Sequence, residues 1–320
     1  FINSELSFSI IRDQIPLNTV EAALMVNDTI AYISISKFAE TTIYEISSAL
    51  EQLTDFGMKK LILDLRNNPG GYMDQAVKVA DLFLDDNKLI VYTQGRKSDL
   101  DVERIAERPY PYENLSLAVL VNSGSASASE IVSGAIQDWD RGIIIGETTF
   151  GKGLVQQPFT LADNSAVRIT ISKYYTPSGR VIQRDFSDRE NYYAVMPSEA
   201  NDELPEVINI EESDSTKEIF TTEAGRELYA NGGITPDFTV HNDDLTYYSI
   251  LLRSKDLYFR YVRKYLDNNS EKIISEYGND LQKFIEKFYF PKNEINSFIS
   301  FAEENKVKFN KDEFEKDKNY

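Results

Sequence analysis

Residues 60–84 read KLILDLRNNPGGYMDQAVKVADLFL. Leu61-Ile62-Leu63-Asp64-Leu65 is a short, nearly continuous apolar run, the pattern of a strand buried in a sheet. It breaks in Arg66-Asn67-Asn68-Pro69-Gly70-Gly71, a cluster of turn formers, and a helical pattern follows from about Met73 to Leu84. The same alternation continues outward. Upstream, Ile30 to Ile35 alternates like a strand, and Thr41 to Phe56 has helical spacing through Ile43, Ile46, Leu50 and Leu53. Downstream come strands at Leu89–Thr93, Leu115–Val121 and Gly142–Gly146, with a polar stretch through Pro111 and a helix from about Ser127 to Trp139. Leu154–Thr160 and Ala166–Tyr175 make a hairpin across Asp163-Asn164. Strands alternating with helices over Thr29 to Glu147 predict an α/β core with parallel pairing.

Composition narrows the chemistry. The chain has 320 residues, 42% apolar and 27% charged, the balance of a globular protein with one large domain or two unequal ones. Lys and Arg number 34 against 52 Asp and Glu, a net charge of −18. That acidity argues against nucleic acid or an anionic membrane as the main partner. With no Cys there is no disulfide, thiol nucleophile or cysteine metal site. His241 is the one histidine, so no HExxH zinc site can be written. It follows a strand end in a polar turn with no acid paired to it. A hydrolase built on this chain needs a base other than histidine.

The ends and insertions read differently from the core. Ser7–Ile15 and Thr19–Val26 are short strands around Pro16, and Phe1-Ile2-Asn3-Ser4 is neither a signal peptide nor an initiator Met. The chain therefore reads as an excised piece. Asn201 to Glu218 holds seven acidic residues against one Lys, a solvated loop suited to basic peptides. Gly232-Gly233-Ile234-Thr235-Pro236-Asp237 is a turn cluster before a short strand. Leu245 to about Ala302 is helical, with Tyr and Phe suited to a core or a dimer face. Lys306 to Tyr320 reads as a charged, frayed end.

Three segments could carry chemistry. In Val121-Asn122-Ser123-Gly124-Ser125-Ala126-Ser127-Ala128-Ser129-Glu130, small residues let a strand turn tightly into a helix. A serine there either caps the helix, with Ser127 and Glu130 as a capping box, or exposes a nucleophile beside free N–H groups suited to an oxyanion. Phe150-Gly151-Lys152-Gly153 sets a lysine between two glycines. A desolvated lysine loses its proton more readily and could serve as the base for a serine. Gly153 stands where a phosphate loop needs Ser or Thr, which disfavours phosphate binding. Asn67-Asn68-Pro69-Gly70-Gly71 is either an ordinary turn or a loop that lends N–H groups to an oxyanion hole.

In this order, LILDLRNNPGG (Leu61–Gly71), VNSGSASASEI (Val121–Ile131), QDWDRGIIIGETTFGKGLVQQ (Gln137–Gln157) and KYYTPSGRVIQ (Lys173–Gln183) resemble the carboxy-terminal processing, or tail-specific, serine peptidases. The likeness runs from about Ile10 to Asp237. It implies Ser127 as nucleophile, Lys152 as general base 25 positions later, and Gln156 as the residue that orients the lysine. It also implies an oxyanion hole from Ala128 and a glycine of the Gly70-Gly71 pair. Asp138 matches a family acidic position and reads as structural support. Lys152 and Gln156 would lie about 13 Å apart on a straight strand, so the chain must bend between them.

The resemblance further implies a Clp protease/crotonase-like α/β core, parallel sheet with flanking helices, plus a C-terminal helical extension like those of Bacteroidetes-type members. Family members carry a peptide-binding PDZ domain before the core, and Ser7–Leu17 resembles its exit strand. The expected layout is a PDZ remnant over 1–18, a peptidase core over 19–240 with the acidic loop at 201–218, and a helical extension over 241–320. With glycines flanking Lys152, nothing local is expected to fix the base, and the missing PDZ domain would gate it. The expected partners are proteins or peptides with accessible C-termini, without cofactor, metal or nucleic acid. A periplasmic or envelope location and a homo-oligomer through the C-terminal helices complete the picture. The rivals are a silent peptide-binding scaffold on the same fold, against which the intact Ser127, Lys152 and Gln156 argue, and an acyl-CoA enzyme, for which no CoA pocket or placed Glu acids are legible.

Overall fold

The structure is a computed structural model that describes residues 18–184, 218–230, 232–240, 245–278 and 280–317. The expected PDZ exit strand, most of the acidic loop and His241 lie outside the described residues. The chain divides into two compact units, Phe1–His241 and Asn242–Tyr320.

In chain order the first unit has strands β1 (Val20–Met25) and β2 (Ile30–Ile35), helix α1 (Thr42–Asp55), β3 (Lys60–Asp64) and α2 (Met73–Asp81). Then come β4 (Leu89–Gly95), β5 (Val102–Ile105), β6 (Ser116–Val121), α3 (Ala128–Asp138) and β7 (Ile143–Gly146). A hairpin of β8 (Leu154–Thr160) and β9 (Ala166–Tyr175) follows, then β10 (Ile219–Thr221), β11 (Glu227–Tyr229) and β12 (Phe238–Thr239). The main sheet has the order β1-β2-β3-β6-β7-β12. Only β1 runs antiparallel to its neighbour, and the four other pairings are parallel. Parallel neighbours need long crossovers, and α1, α2 and α3 lie in them. Their apolar stripes, such as Ile46, Ala49, Leu50 and Leu53 of α1, pack with Ile33, Ile35, Leu61, Leu63 and Val119 of the sheet into one core.

A second, antiparallel sheet has the order β5-β4-β9-β8. Tyr92 on β4 stacks on Tyr175 of β9, ring centroids 4.9 Å apart. The polar stretch expected through Pro111 contains β5, whose four side chains are all exposed. A strand covered on neither face shows no apolar alternation, which is why its sequence does not announce it.

The order of the main sheet fixes where a site can form. β3, β6 and β7 are adjacent and parallel, so the loops at their carboxyl ends emerge side by side. Those loops are Leu65–Tyr72, Asn122–Ser127 and Glu147–Gly153. All three chemistry-bearing segments of the sequence are on one edge.

The second unit is helical: α4 (Tyr247–Ser254), α5 (Leu257–Tyr277), α6 (Leu281–Lys287), α7 (Lys292–Glu304) and α8 (Lys311–Asp317). Tyr248, Leu252, Leu257, Ala302 and Val307 form its core, with Phe298, Phe301, Phe309 and Phe314 against it. The expected fraying after Lys306 is corrected by this packing, at least to Asp317. The tail's charges cap another helix: Glu313 accepts from the Tyr248 N–H at 2.6 Å and Asp317 from the Thr246 N–H at 3.0 Å. Carboxylates at the positive end of α4 satisfy donors that the helix cannot pair itself.

Candidate active site

Three of the four serines in the small-residue run have different lives. Ser125 is buried; its hydroxyl donates to the Leu65 carbonyl at 2.8 Å and accepts from the Asn122 N–H at 3.0 Å. The buried Ser129 hydroxyl donates to the Asn68 carbonyl at 2.9 Å. Both stitch the α3 turn to the loop after β3. Ser127, between them, is half-buried at the N-cap of α3 with φ 55° and ψ −110°. A side chain tolerates that backbone only under strain, and such outliers cluster at functional turns from strand into helix.

Gly70 faces this serine. Its φ is +97°, and a Cβ there would meet the Ala128 nitrogen and the Ser127 Cβ, each at 2.8 Å. Only glycine allows the loop to lie so close. The buried Asn68 holds it there, donating to the Ile35 carbonyl at 2.8 Å and accepting from the Gly70 N–H at 2.9 Å. That bond engages the Gly70 N–H within the loop. Among the described residues the N–H groups of Gly71 and Ala128 have no such partner, so Gly71 is the glycine whose donor is free. Asp64, at the end of β3, anchors the other side. Arg66 bonds it through its backbone and its guanidinium, and Tyr32 donates to it at 2.7 Å. Burial pushes the Asp64 carboxyl up, but the Arg66 and Tyr32 bonds outweigh it and hold the group below its ordinary 3.8.

The backbone of the lysine loop is held by residues distant in sequence. The Gly151 carbonyl accepts from the Arg184 N–H at 2.9 Å, the Gly153 N–H donates to Gln183 Oε1 at 2.9 Å, and the Gly153 carbonyl accepts from the Tyr174 N–H at 3.0 Å. The GGITPD segment adds the Ile234 N–H, donated to Thr149 Oγ1 at 2.7 Å. Glycines flank Lys152 because neighbours press close: Gly151 has φ +85°, and Cβ positions at Gly151 and Gly153 would lie 3.1 and 2.9 Å from the 182–184 segment.

Residues 29–187 match peptidase family S41. The chain carries an S41 peptidase domain. A carboxy-terminal-processing protease of Bartonella bacilliformis is 43% identical over 188 residues, 57% of this chain and 42% of the relative. Carboxy-terminal processing protease CtpA of Bacillus subtilis is 40% identical over 182 residues, 56% and 38% of the two chains. The chain thus spans about two fifths of the length of these curated relatives. Among solved structures, the photosystem II D1 C-terminal processing protease aligns over 73% of this chain and 51% of its own, at 27% identity and a TM-score of 0.49. Residues 247–320 match a family of unknown function, DUF8443.

Within the S41 domain two residues outside the expected set join the serine and lysine loops. Glu130, entirely buried, accepts from the Ser127 N–H at 2.7 Å and the Lys152 N–H at 2.9 Å on Oε2. Its Oε1 accepts from the Gly151 N–H and the Thr149 hydroxyl, both at 2.6 Å. Burial pushes the Glu130 carboxyl above its usual range, against those four bonds. The buried Tyr174 hydroxyl lies 3.1 Å from the Ser127 carbonyl and bonds the Lys152 carbonyl. Burial, then the Glu130 charge, push that phenol well above its usual range, so it stays a donor. The sequence shows Glu130 only as half of a capping box; its reach to Lys152 is tertiary.

Other expected residues fall elsewhere. Among the described residues, no hydrogen bond joins the Lys152 amine to Ser127 Oγ or to Gln156. Gln156 is exposed on β8, just past a bulge between Val155 and Gln156 that bends the strand. Asp138 is structural: it forms a buried ion pair with Arg180 at 2.7 Å and accepts from the Ser178 N–H at 2.9 Å. A cavity of about 790 Å³ lies away from the serine, lined by Gln137, Ile143, Arg180, Tyr229, Asp237 and others. No group of three or more acidic or histidine side chains among the described residues could hold a metal.

Proposed function

We propose that the chain is a serine endopeptidase that cleaves protein substrates near their C-termini through Ser127 and Lys152. One observation carries this: Ser127 occupies a strained, half-buried N-cap in a turn whose backbone shares a carboxylate oxygen with the Lys152 loop. The neutral Lys152 amine takes the Ser127 hydroxyl proton as Oγ attacks the peptide carbonyl carbon. The N–H groups of Ala128 and Gly71 meet the oxyanion, at the positive end of α3. As the intermediate collapses, the C–N bond breaks and the amine leaves with the proton from Lys152. Water then attacks the acyl ester and gives its proton to Lys152, and Ser127 regains a proton as the acid departs. Gln156 is proposed to orient the amine, which requires the two side chains to close together when substrate binds.

By the same resemblance the protein works in the periplasm or cell envelope. No helix among the described residues is long and apolar enough to cross a membrane. Self-association through the helical unit has exposed Phe259, Ile274, Ile285 and Tyr289 available to it.

The test is labelling with a fluorophosphonate, read by peptide mass spectrometry. The label is expected on Ser127 alone and is lost in Lys152→Ala and in Lys152→Arg, whose guanidinium cannot deprotonate. His241→Ala should label like the parent. An unlabelled parent would favour the silent peptide-binding scaffold, and a labelled Lys152→Arg would remove lysine from the mechanism.

A further inference from the structure

Where the Lys152 amine can go is set by its backbone, because no described side chain binds the amine itself. The serine and lysine loops come from the ends of different strands, so their relative position is a tertiary matter. Two buried groups set it. The N–H groups of Ser127 and Lys152 end on the same Glu130 oxygen, at 2.7 and 2.9 Å, which bounds the distance between the two nitrogens by the length of those two bonds. On the carbonyl side, one hydroxyl, that of Tyr174, reaches the oxygens of both residues. Glu130 is on α3 and Tyr174 on β9, so the two grips arrive from different elements.

We propose that Glu130 and Tyr174 are positioning residues that hold nucleophile and base in one register by gripping both backbones; this rests on the roles proposed above for Ser127 and Lys152. The chemistry of the acceptor matters. A carboxylate is acceptor-only and takes all four donors around Glu130. The amide of a glutamine would turn its NH₂ toward two of them, breaking those bonds and forcing apart the loops they tie. Tyr174→Phe is the milder change, since the ring still fills its buried place and only the hydroxyl goes.

The experiment titrates active sites of the 320-residue chain to completion with a fluorophosphonate and measures kcat per titrated site on an unstructured peptide. For Tyr174→Phe the titrated fraction and the melting profile should match the parent and KM should stay within about twofold, while kcat per site falls about tenfold. Glu130→Gln should lose on the order of 10²-fold in kcat per site, the scale of an ångström of misplacement. The double variant should lose less than the product of the single losses, because both act through one geometry. A purely structural role predicts the reverse, fewer titratable sites with unchanged kcat in each, and that result overturns the proposal. If Glu130→Gln does not fold, Tyr174→Phe decides alone. An active parent with an unaltered Tyr174→Phe sinks only this inference. A parent that neither labels nor turns over sinks the function, and the inference with it.

Discussion

Ser125, Ser127 and Ser129 are chemically the same and two residues apart, yet their surroundings separate them completely. Ser125 and Ser129 are buried and donate to backbone carbonyls of the neighbouring loop, so each is a rivet. Ser127, between them, is half-buried and stands on the strained N-cap backbone of α3. Ser127→Ala should therefore drop peptide hydrolysis to background while the fold is kept. Ser125→Ala should keep the chemistry and lose about 1–3 kcal/mol of stability, because it leaves the Asn122 N–H without its partner and removes the bond to the Leu65 carbonyl. Urea denaturation beside peptide turnover separates the two. An active Ser127→Ala would show that the wrong serine was chosen.

The elements that position these residues can be disturbed without touching them. Asp138 closes α3, and its ion pair with Arg180 is fully out of water. Asp138→Asn leaves the guanidinium buried without its countercharge and should cost about 3–5 kcal/mol, read as a lower urea midpoint. Asp64 closes β3 and behaves differently with pH. Its folded-state value lies below the unfolded one, so its contribution is whole above about pH 4 and fades as pH falls through the lowered value. The gap in urea midpoint between parent and Asp64→Asn should be constant near neutrality and close as pH falls through the lowered Asp64 value. A gap that persists there would mean the carboxylate is not what anchors the loop. The strands and helices of the main sheet were legible in the sequence because burial writes a local period into them. Strand β5 was not, as neither of its faces is covered, nor was α8, whose charges hid a capping role. The candidate site divides the same way. Ser127, Lys152 and the Gly70-Gly71 loop stand out as residue types in tight local patterns. The reach of Glu130 to Lys152 and of Tyr174 to both carbonyls spans more than twenty residues and leaves no periodic trace.

For the whole molecule the dominant long-range property is charge. A net −18 spread over 320 residues makes a field that favours cationic substrates before any contact forms. For otherwise matched peptides, kcat/KM should be higher for the lysine-rich one at low salt. That advantage should shrink several-fold between about 0.05 and 0.5 M NaCl, as the Debye length contracts from above 10 Å to a few ångströms. A preference that ignores salt would point to a specific pocket in place of the field.

The backbone of Ser127, at φ 55° and ψ −110°, has a consequence for selection as well as for catalysis. A conformation so costly for a side chain holds roughly 1–3 kcal/mol that the rest of the fold must supply. Glycine at this position would release most of it, against a few tenths for the weaker helix cap. Ser127→Gly should melt at the parent temperature or about 2–4 °C above it, and be inert. Heat-screening a library of variants without an activity assay would then enrich a substitution that ends the chemistry. A Ser127→Gly protein that melts lower than the parent would show that this turn carries no such load.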